Sequence, residues 1–248
     1  MKLGAQFYSI RDNTTTPEDL REAFRKIKNI GYEIVQMSAI CSIAPELLKS
    51  YSEEFSLPIT CTHSPYDRIV NDTDALINEH KIYGCPTIGL GSMPNEFRDG
   101  GVYDFVDSLR EPIRKIKEAG LSFAYHNHAF EFEKIDEKLI YDILIDELPD
   151  LNFIIDTYWF KYAGYDYIEY IKRIGADRIK NIHLKDMESE PQGNICPCGN
   201  GIIDFTPVIR LCDEMGIENA LVEQDNAPET GDSIAQMRIS YENINKLF

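Results

Sequence analysis

Short apolar runs rich in β-branched and aromatic residues alternate along this chain with longer stretches of helical period. Eight runs read as strands: Leu3–Ser9, Ile34–Ser38, Ile59–His63, Thr87–Gly91, Ser122–His126, Asn152–Asp156, Ile179–Leu184 and Ala220–Gln224. Each is short and nearly continuous in its hydrophobicity, as expected of strands buried on both faces, and an amphipathic segment separates each from the next. Thr16–Ile30 shows how such a segment is punctuated. Thr16 offers an N-cap, Pro17 fits the first turn, Glu18 and Asp19 complement the positive end of the helix dipole, and Gly31 ends the helix. Gly84, Gly120, Gly175 and Gly216 occupy the same place in later units. Over 248 residues, eight units average about 31 residues each, with no linker or low-complexity segment between them. The pattern predicts one α/β domain over residues 1–248, a (β/α)8 TIM barrel.

In that architecture the C-terminal tips of the strands converge on one pocket. The third predicted strand ends at His63, the fifth at His126-Asn127-His128, and the sixth at Asp156. The seventh carries His183 with Lys185 and Asp186 following, and the eighth ends at Glu223-Gln224-Asp225. A lone histidine at a strand end is usually structural, but four of the five histidines stand at such tips. Asp156 and Glu223 interrupt apolar strands, where an unpaired carboxylate costs several kcal/mol, so a cation is a physical reason for them. His126, Asp156, His183 and Glu223 would offer mixed nitrogen and oxygen ligands to one divalent ion, Zn, Mn, Co, Fe or Mg, whereas calcium asks for more oxygens. An ion pair of Lys185 with Asp156 or Asp186 is the structural alternative to a metal. His80, between Glu79 and Lys81, is expected on a solvated helix face. The irregular stretch from Met187 to Ile202 is expected to be a loop over the pocket, able to act as a lid.

The composition, 43% hydrophobic and 27% charged, is that of a globular protein. A net charge of −17 repels phosphate backbones and anionic membranes, which disfavours nucleic-acid and membrane partners. No stretch is apolar enough for a signal peptide or a bilayer span, so the cytoplasm is the default location. The six cysteines, at 41, 61, 85, 196, 198 and 212, contain no C-x-x-C pair and are expected as free thiols. Cys196-Pro197-Cys198 is expected in a surface loop with incidental thiols, a soft-metal site being the lesser alternative.

Tyr125-His126-Asn127-His128-Ala129-Phe130-Glu131-Phe132 resembles the YHNHxxEF signature of one branch of the sugar phosphate isomerase/epimerase family, the xylose isomerase-like barrels. Ile155-Asp156-Thr157-Tyr158-Trp159, Ile182-His183-Leu184-Lys185-Asp186, Gly199-Asn200-Gly201 and Val222-Glu223 continue the resemblance in order. The resemblance implies Asp156, His183 and Glu223 as ligands, with His126 or Glu131 completing the set. It implies Glu131, Lys185 and Glu223 as catalytic groups, and His63 on the substrate, with Gln6, His128 and Trp159 expected beside it. The implied substrate is a sugar, keto-sugar or cyclic polyol, transformed by proton abstraction alpha to a carbonyl, with isomerisation, epimerisation and dehydration all open. Two departures bear on this. Many relatives have Glu where this chain has His126, which favours a one-base reaction, and Asn200 stands where relatives place an acid. A barrel that binds a sugar or a partner without catalysis is the second reading. Endonuclease IV-like chemistry is disfavoured by the charge and by too few ligands. Pairing into a homodimer is left open.

Overall fold

The computed structural model describes residues 1–248. The eight apolar runs form β1 (Lys2–Gln6), β2 (Ile34–Met37), β3 (Ile59–Thr62), β4 (Thr87–Leu90), β5 (Ser122–His126), β6 (Asn152–Asp156), β7 (Ile179–Leu184) and β8 (Asn219–Val222). They lie in the order β3-β2-β1-β8-β7-β6-β5-β4, every adjacent pair parallel. At the β3/β4 seam the ladder thins to the Ser64 N–H donating to Gly89 O at 2.8 Å. Gly89 makes that approach feasible, because a Cβ there would stand 2.1 Å from Thr62 O. The result is a nearly closed (β/α)8 barrel.

Outside it run α1 (Pro17–Ile30), α2 (Pro45–Phe55), α3 (Thr73–Tyr83), α4 (Val102–Glu118), α5 (Ile140–Glu147), α6 (Tyr167–Ile174), α7 (Thr206–Met215) and α8 (Ser233–Ile244). Thr16 Oγ1 accepts the Asp19 N–H at 3.1 Å and so caps α1. One cluster of 61 buried apolar residues joins the sheet to this ring, including Phe24 and Ile27 of α1 and Phe105 and Leu109 of α4. No helix is long and apolar enough to cross a membrane.

Several elements differ from the sequence expectation. β1 stops at Gln6, whose side-chain oxygen accepts the Tyr8 N–H at 2.7 Å and turns the chain into a short 3-10 segment, Phe7–Asn13. β3 and β8 also stop early, leaving His63 and Glu223 just beyond strand ends. His80 is not solvated: it is 1% exposed, on the face of α3 formed by Thr73, Leu76 and Ile77. It bonds Thr62 Oγ1 at 2.9 Å and Leu76 O at 2.8 Å. Cys196 and Cys198 are buried rather than at the surface, the Cys198 thiol donating to Leu184 O at 3.1 Å. All six thiols are free.

The Met187–Ile202 stretch is more ordered than a plain loop. Asp186–Met187 pairs antiparallel with Ile195–Cys196. The Asp186 carboxylate accepts N–H groups of Gly199, Gly201 and Ile203 at 2.9, 3.0 and 3.0 Å, fixing the base of the segment.

Candidate metal centre and active site

Strand register brings the ionisable residues together. Asp156 and His183 are partners across β6 and β7, and His126 ends the neighbouring β5. Leu221 pairs with His183, which puts Glu223 just past the tip of β8 on the same side of the barrel. One ligand atom from each of His126, Asp156, His183 and Glu223 lies within 4.8 Å of every other, and all four residues are buried. Glu131 is not in this group.

Each imidazole is oriented from behind. His126 Nδ1–H donates to Gly91 O at 3.1 Å, which turns Nε2 toward Asp156 Oδ2 at 3.2 Å and Glu223 Oε2 at 3.7 Å. His183 Nε2 meets Gln36 Oε1 at 2.8 Å, which turns Nδ1 toward Glu223 Oε2, also at 2.8 Å. Burial holds His183 below its ordinary pKa despite the charge and hydrogen bond of Glu223. For His126 burial also acts downward, but the Asp156 hydrogen bond and the charges of Glu223 and Asp156 outweigh it. Outer hydrogen bonds that fix the tautomer are what a metal-binding histidine requires. The donor set fits a divalent ion.

Lys185 is the resident countercharge. Its Nζ lies 2.9 Å from Asp156 Oδ2, 3.0 Å from Glu223 Oε2 and 3.1 Å from Asp225 Oδ1, in a side chain 1% exposed. Burial pulls the ammonium down, but Asp156, Asp225 and Glu223 together raise it well above its usual range. Burial likewise opposes ionisation of Asp156 and Glu223, yet Lys185 and the histidines hold both below the usual carboxylate range. Asp225 is pushed up by burial and keeps part of its surface open. Asp186 does not pair with Lys185.

A cleft of about 450 Å³ opens above the group, walled by His63, His126, His128, Lys185, Glu223 and Asp225. The other residues singled out in the sequence stand behind it. Gln6 is fully buried and donates from Nε2 to Glu223 Oε1 at 2.9 Å. The Trp159 ring lies 5.1 Å from His128 and 5.5 Å from Lys185 Nζ, and Asp156 Oδ1 accepts the Trp159 backbone N–H at 3.1 Å. Glu131 is fully buried, accepting from Tyr125 OH at 2.5 Å and the His128 N–H at 2.7 Å. Asn200 caps outward, accepting from Asn243 Nδ2 at 2.9 Å.

Sequence reasoning gave no role to Gln36, to Tyr8, which lines the cleft, or to Asp225. Gln36 could have been found as a polar residue inside the apolar run of β2, and Asp225 as the second carboxylate of Glu223-Gln224-Asp225. Tyr8 carries no signal, because the turn after Gln6 aims it.

A parallel eight-stranded barrel with a buried histidine and carboxylate tetrad at the C-terminal strand ends defines a class, the barrels that gather ionisable side chains under a small-molecule cleft. Within it, this chain belongs to the xylose isomerase-like TIM barrel family, which matches residues 24–239. It is similar to a sugar phosphate isomerase/epimerase from Parabacteroides distasonis, 22% identical with a TM-score of 0.81, covering 99% of this chain and 98% of that one. The IOLI protein, whose structure carries a zinc atom, superposes with a TM-score of 0.75 at 16% identity, over 100% of this chain and 98% of that one. Inosose dehydratase of Clostridium perfringens is 30% identical over 146 residues, 48% of each chain, so the match spans about half the length of that relative.

Proposed function

We propose that this chain is a metal-dependent enzyme that removes the proton alpha to the carbonyl of a keto-sugar or cyclic keto-polyol, with loss of a β-hydroxyl as water the favoured outcome. The observation that carries the reading is the tetrad of His126, Asp156, His183 and Glu223, all buried, with ligand atoms within 4.8 Å of one another. The similarity to inosose dehydratases supports dehydration over its alternatives, and so does the placement of Glu131, which is turned away from the cleft toward Tyr125. Two-faced epimerisation would need a base there.

When bound by the tetrad, a divalent ion supplies Lewis-acid polarisation of the substrate carbonyl and acidifies the adjacent C–H. The chain's own groups do the rest. A carboxylate of Glu223 or Asp225 accepts the alpha proton, the carbon–carbon double bond forms, and the β carbon–oxygen bond breaks. Lys185, held charged, gives its proton to the departing hydroxyl, which leaves as water. The loaded carboxylate then returns a proton to the Lys185 amine across 3.0 Å from Glu223 or 3.1 Å from Asp225. His63 and His128, both neutral because burial holds them well below their ordinary pKa, accept or donate hydrogen bonds to substrate hydroxyls without adding charge.

Incubation of the metal-loaded protein with an inosose and a panel of keto-sugars in D₂O, followed by NMR and mass spectrometry, tests this reading. The expected product has lost one water. Deuterium at a single inverted carbon without loss of water would establish epimerisation instead. Metal-dependent binding of the panel with no turnover would favour a sugar-binding barrel.

A further inference from the structure

Beyond the rim of the metal cleft lies a second cavity, of about 520 Å³, between the loops that follow β2 and β3 and the flanks of α2 and α3. The two cavities share Ser38, His63, Ser64 and Pro65 as lining residues, so they adjoin at His63. The outer one is walled by Met37, Ile40, Ile43, Leu48, Leu76 and Tyr83, of which Met37, Leu48 and Leu76 belong to the buried core.

Its charge is cancelled internally. Arg68, the one cation on its wall, is held in a fork by Glu79, with nitrogen–oxygen distances of 2.9 and 2.8 Å. A phosphate or carboxylate would have to displace that bidentate pair, whereas a neutral group would leave it undisturbed. The junction also carries an unused donor or acceptor. His63 Nδ1 meets Ser38 Oγ at 3.3 Å, but its Nε2 is buried with no hydrogen-bond partner. A buried imidazole nitrogen left in that state costs free energy, which a turn of the partly exposed ring toward the junction would let a ligand oxygen recover. Ala39, on the same wall, has φ of 54°, a left-handed conformation that an L-residue with no local glycine adopts at a cost, as is common beside ligand sites.

We infer that the outer cavity is a second substrate subsite, which takes a neutral, apolar-faced substituent joined through an oxygen atom to the polyol ring lying over the metal cleft. The substrate class is then a glycoside or polyol ether with an aromatic or similarly apolar aglycone, and not a sugar phosphate. This rests on the reading of the inner cleft as a polyol site. His63 marks the join, lining both cavities, while Ile40, Ile43 and Leu48 cover the substituent.

Isothermal titration of the Mn²⁺-loaded protein with methyl and phenyl β-D-glucopyranoside, and with the free cyclic polyol myo-inositol, tests the inference. Burying an aryl face should tighten the phenyl glycoside by about tenfold or more over the methyl glycoside. Ser42→Trp, a change at an exposed residue on the outer wall, fills that cavity. It should remove the preference while leaving thermal unfolding, metal content and myo-inositol binding unchanged. Equal affinities for the two glycosides in the unaltered protein, or a preference that survives S42W, would overturn the subsite. Binding of myo-inositol without either glycoside would overturn the subsite and leave the inner cleft's reading intact, and binding of none of the three would overturn both.

Discussion

Lys185 Nζ stands 2.9 Å from Asp156 Oδ2, inside the group of carboxylates and imidazoles that a divalent ion would occupy. The ammonium is the countercharge to Asp156, Glu223 and Asp225, and in the proposed mechanism it is also the proton donor to the substrate. Lys185→Met removes both. Stripped of metal, the variant buries carboxylates without a cation, a change worth about 3–5 kcal/mol when one partner of a buried ion pair is lost. Metal loading should restore much of that loss, because the ion replaces the missing charge, yet turnover should stay at least about a hundredfold down for want of the proton donor. Thermal melts with Mn²⁺ and with EDTA, alongside initial rates, check both. Unchanged turnover would leave Lys185 as a structural ion pair.

His80 bonds Thr62 and Leu76 O inside the β3/α3 interface, and burial lowers its pKa to about 4 from an ordinary 6.5. The unfolded chain takes up the proton first as pH falls, so the neutral ring's contribution is complete above pH 6.5 and is lost as pH drops toward 4. Its full span is about 3 kcal/mol. Urea unfolding of the metal-free protein and of His80→Gln should show a stability difference that grows by up to that amount between pH 4 and 6.5. Metal content at neutral pH should be the same in both. A difference independent of pH would mean the ring is not buried neutral.

Glu131 acts in the opposite sense. Burial raises its carboxyl to about 7 from 4.5, against the hydrogen bonds from Tyr125 and His128. A raised acid gives stability that is complete below pH 4.5 and is lost as pH rises through 7. The stability of the unaltered protein relative to Glu131→Gln should therefore fall by up to about 3 kcal/mol over that interval. E131Q should still bind metal, since Glu131 stands outside the tetrad, but the turn carrying His128 loses one of its anchors and the Michaelis constant should rise. Loss of metal in E131Q would put the carboxylate in the site after all.

The strands were legible because each is buried on both faces and must be apolar throughout, and the tetrad because those same strands tolerate a carboxylate only for a reason. Asp156 and Glu223 stood out against that background. What stayed hidden depends on direction. Glu131 follows His126 by five residues, but whether it turns toward the metal or behind it is decided by the short 3-10 segment Phe130–Phe132 and by Tyr125. His80 was misread from its charged neighbours, although its spacing from Thr73, Leu76 and Ile77 places it on the apolar face of α3. The hairpin under the Met187–Ile202 segment is organised by one side chain, Asp186, accepting backbone N–H groups far along the chain, which no local pattern reveals.

Metal stoichiometry of purified protein after loading with Mn²⁺ or Zn²⁺ and gel filtration bears most directly on the tetrad. Inductively coupled plasma mass spectrometry should find one ion per chain in the unaltered protein and in His80→Gln, and about a tenth of that or less in Asp156→Asn and Glu223→Gln, each of which removes one of four ligands. An unaltered protein that retains no metal, or D156N and E223Q variants that retain as much as it does, would contradict a metal centre at these strand ends.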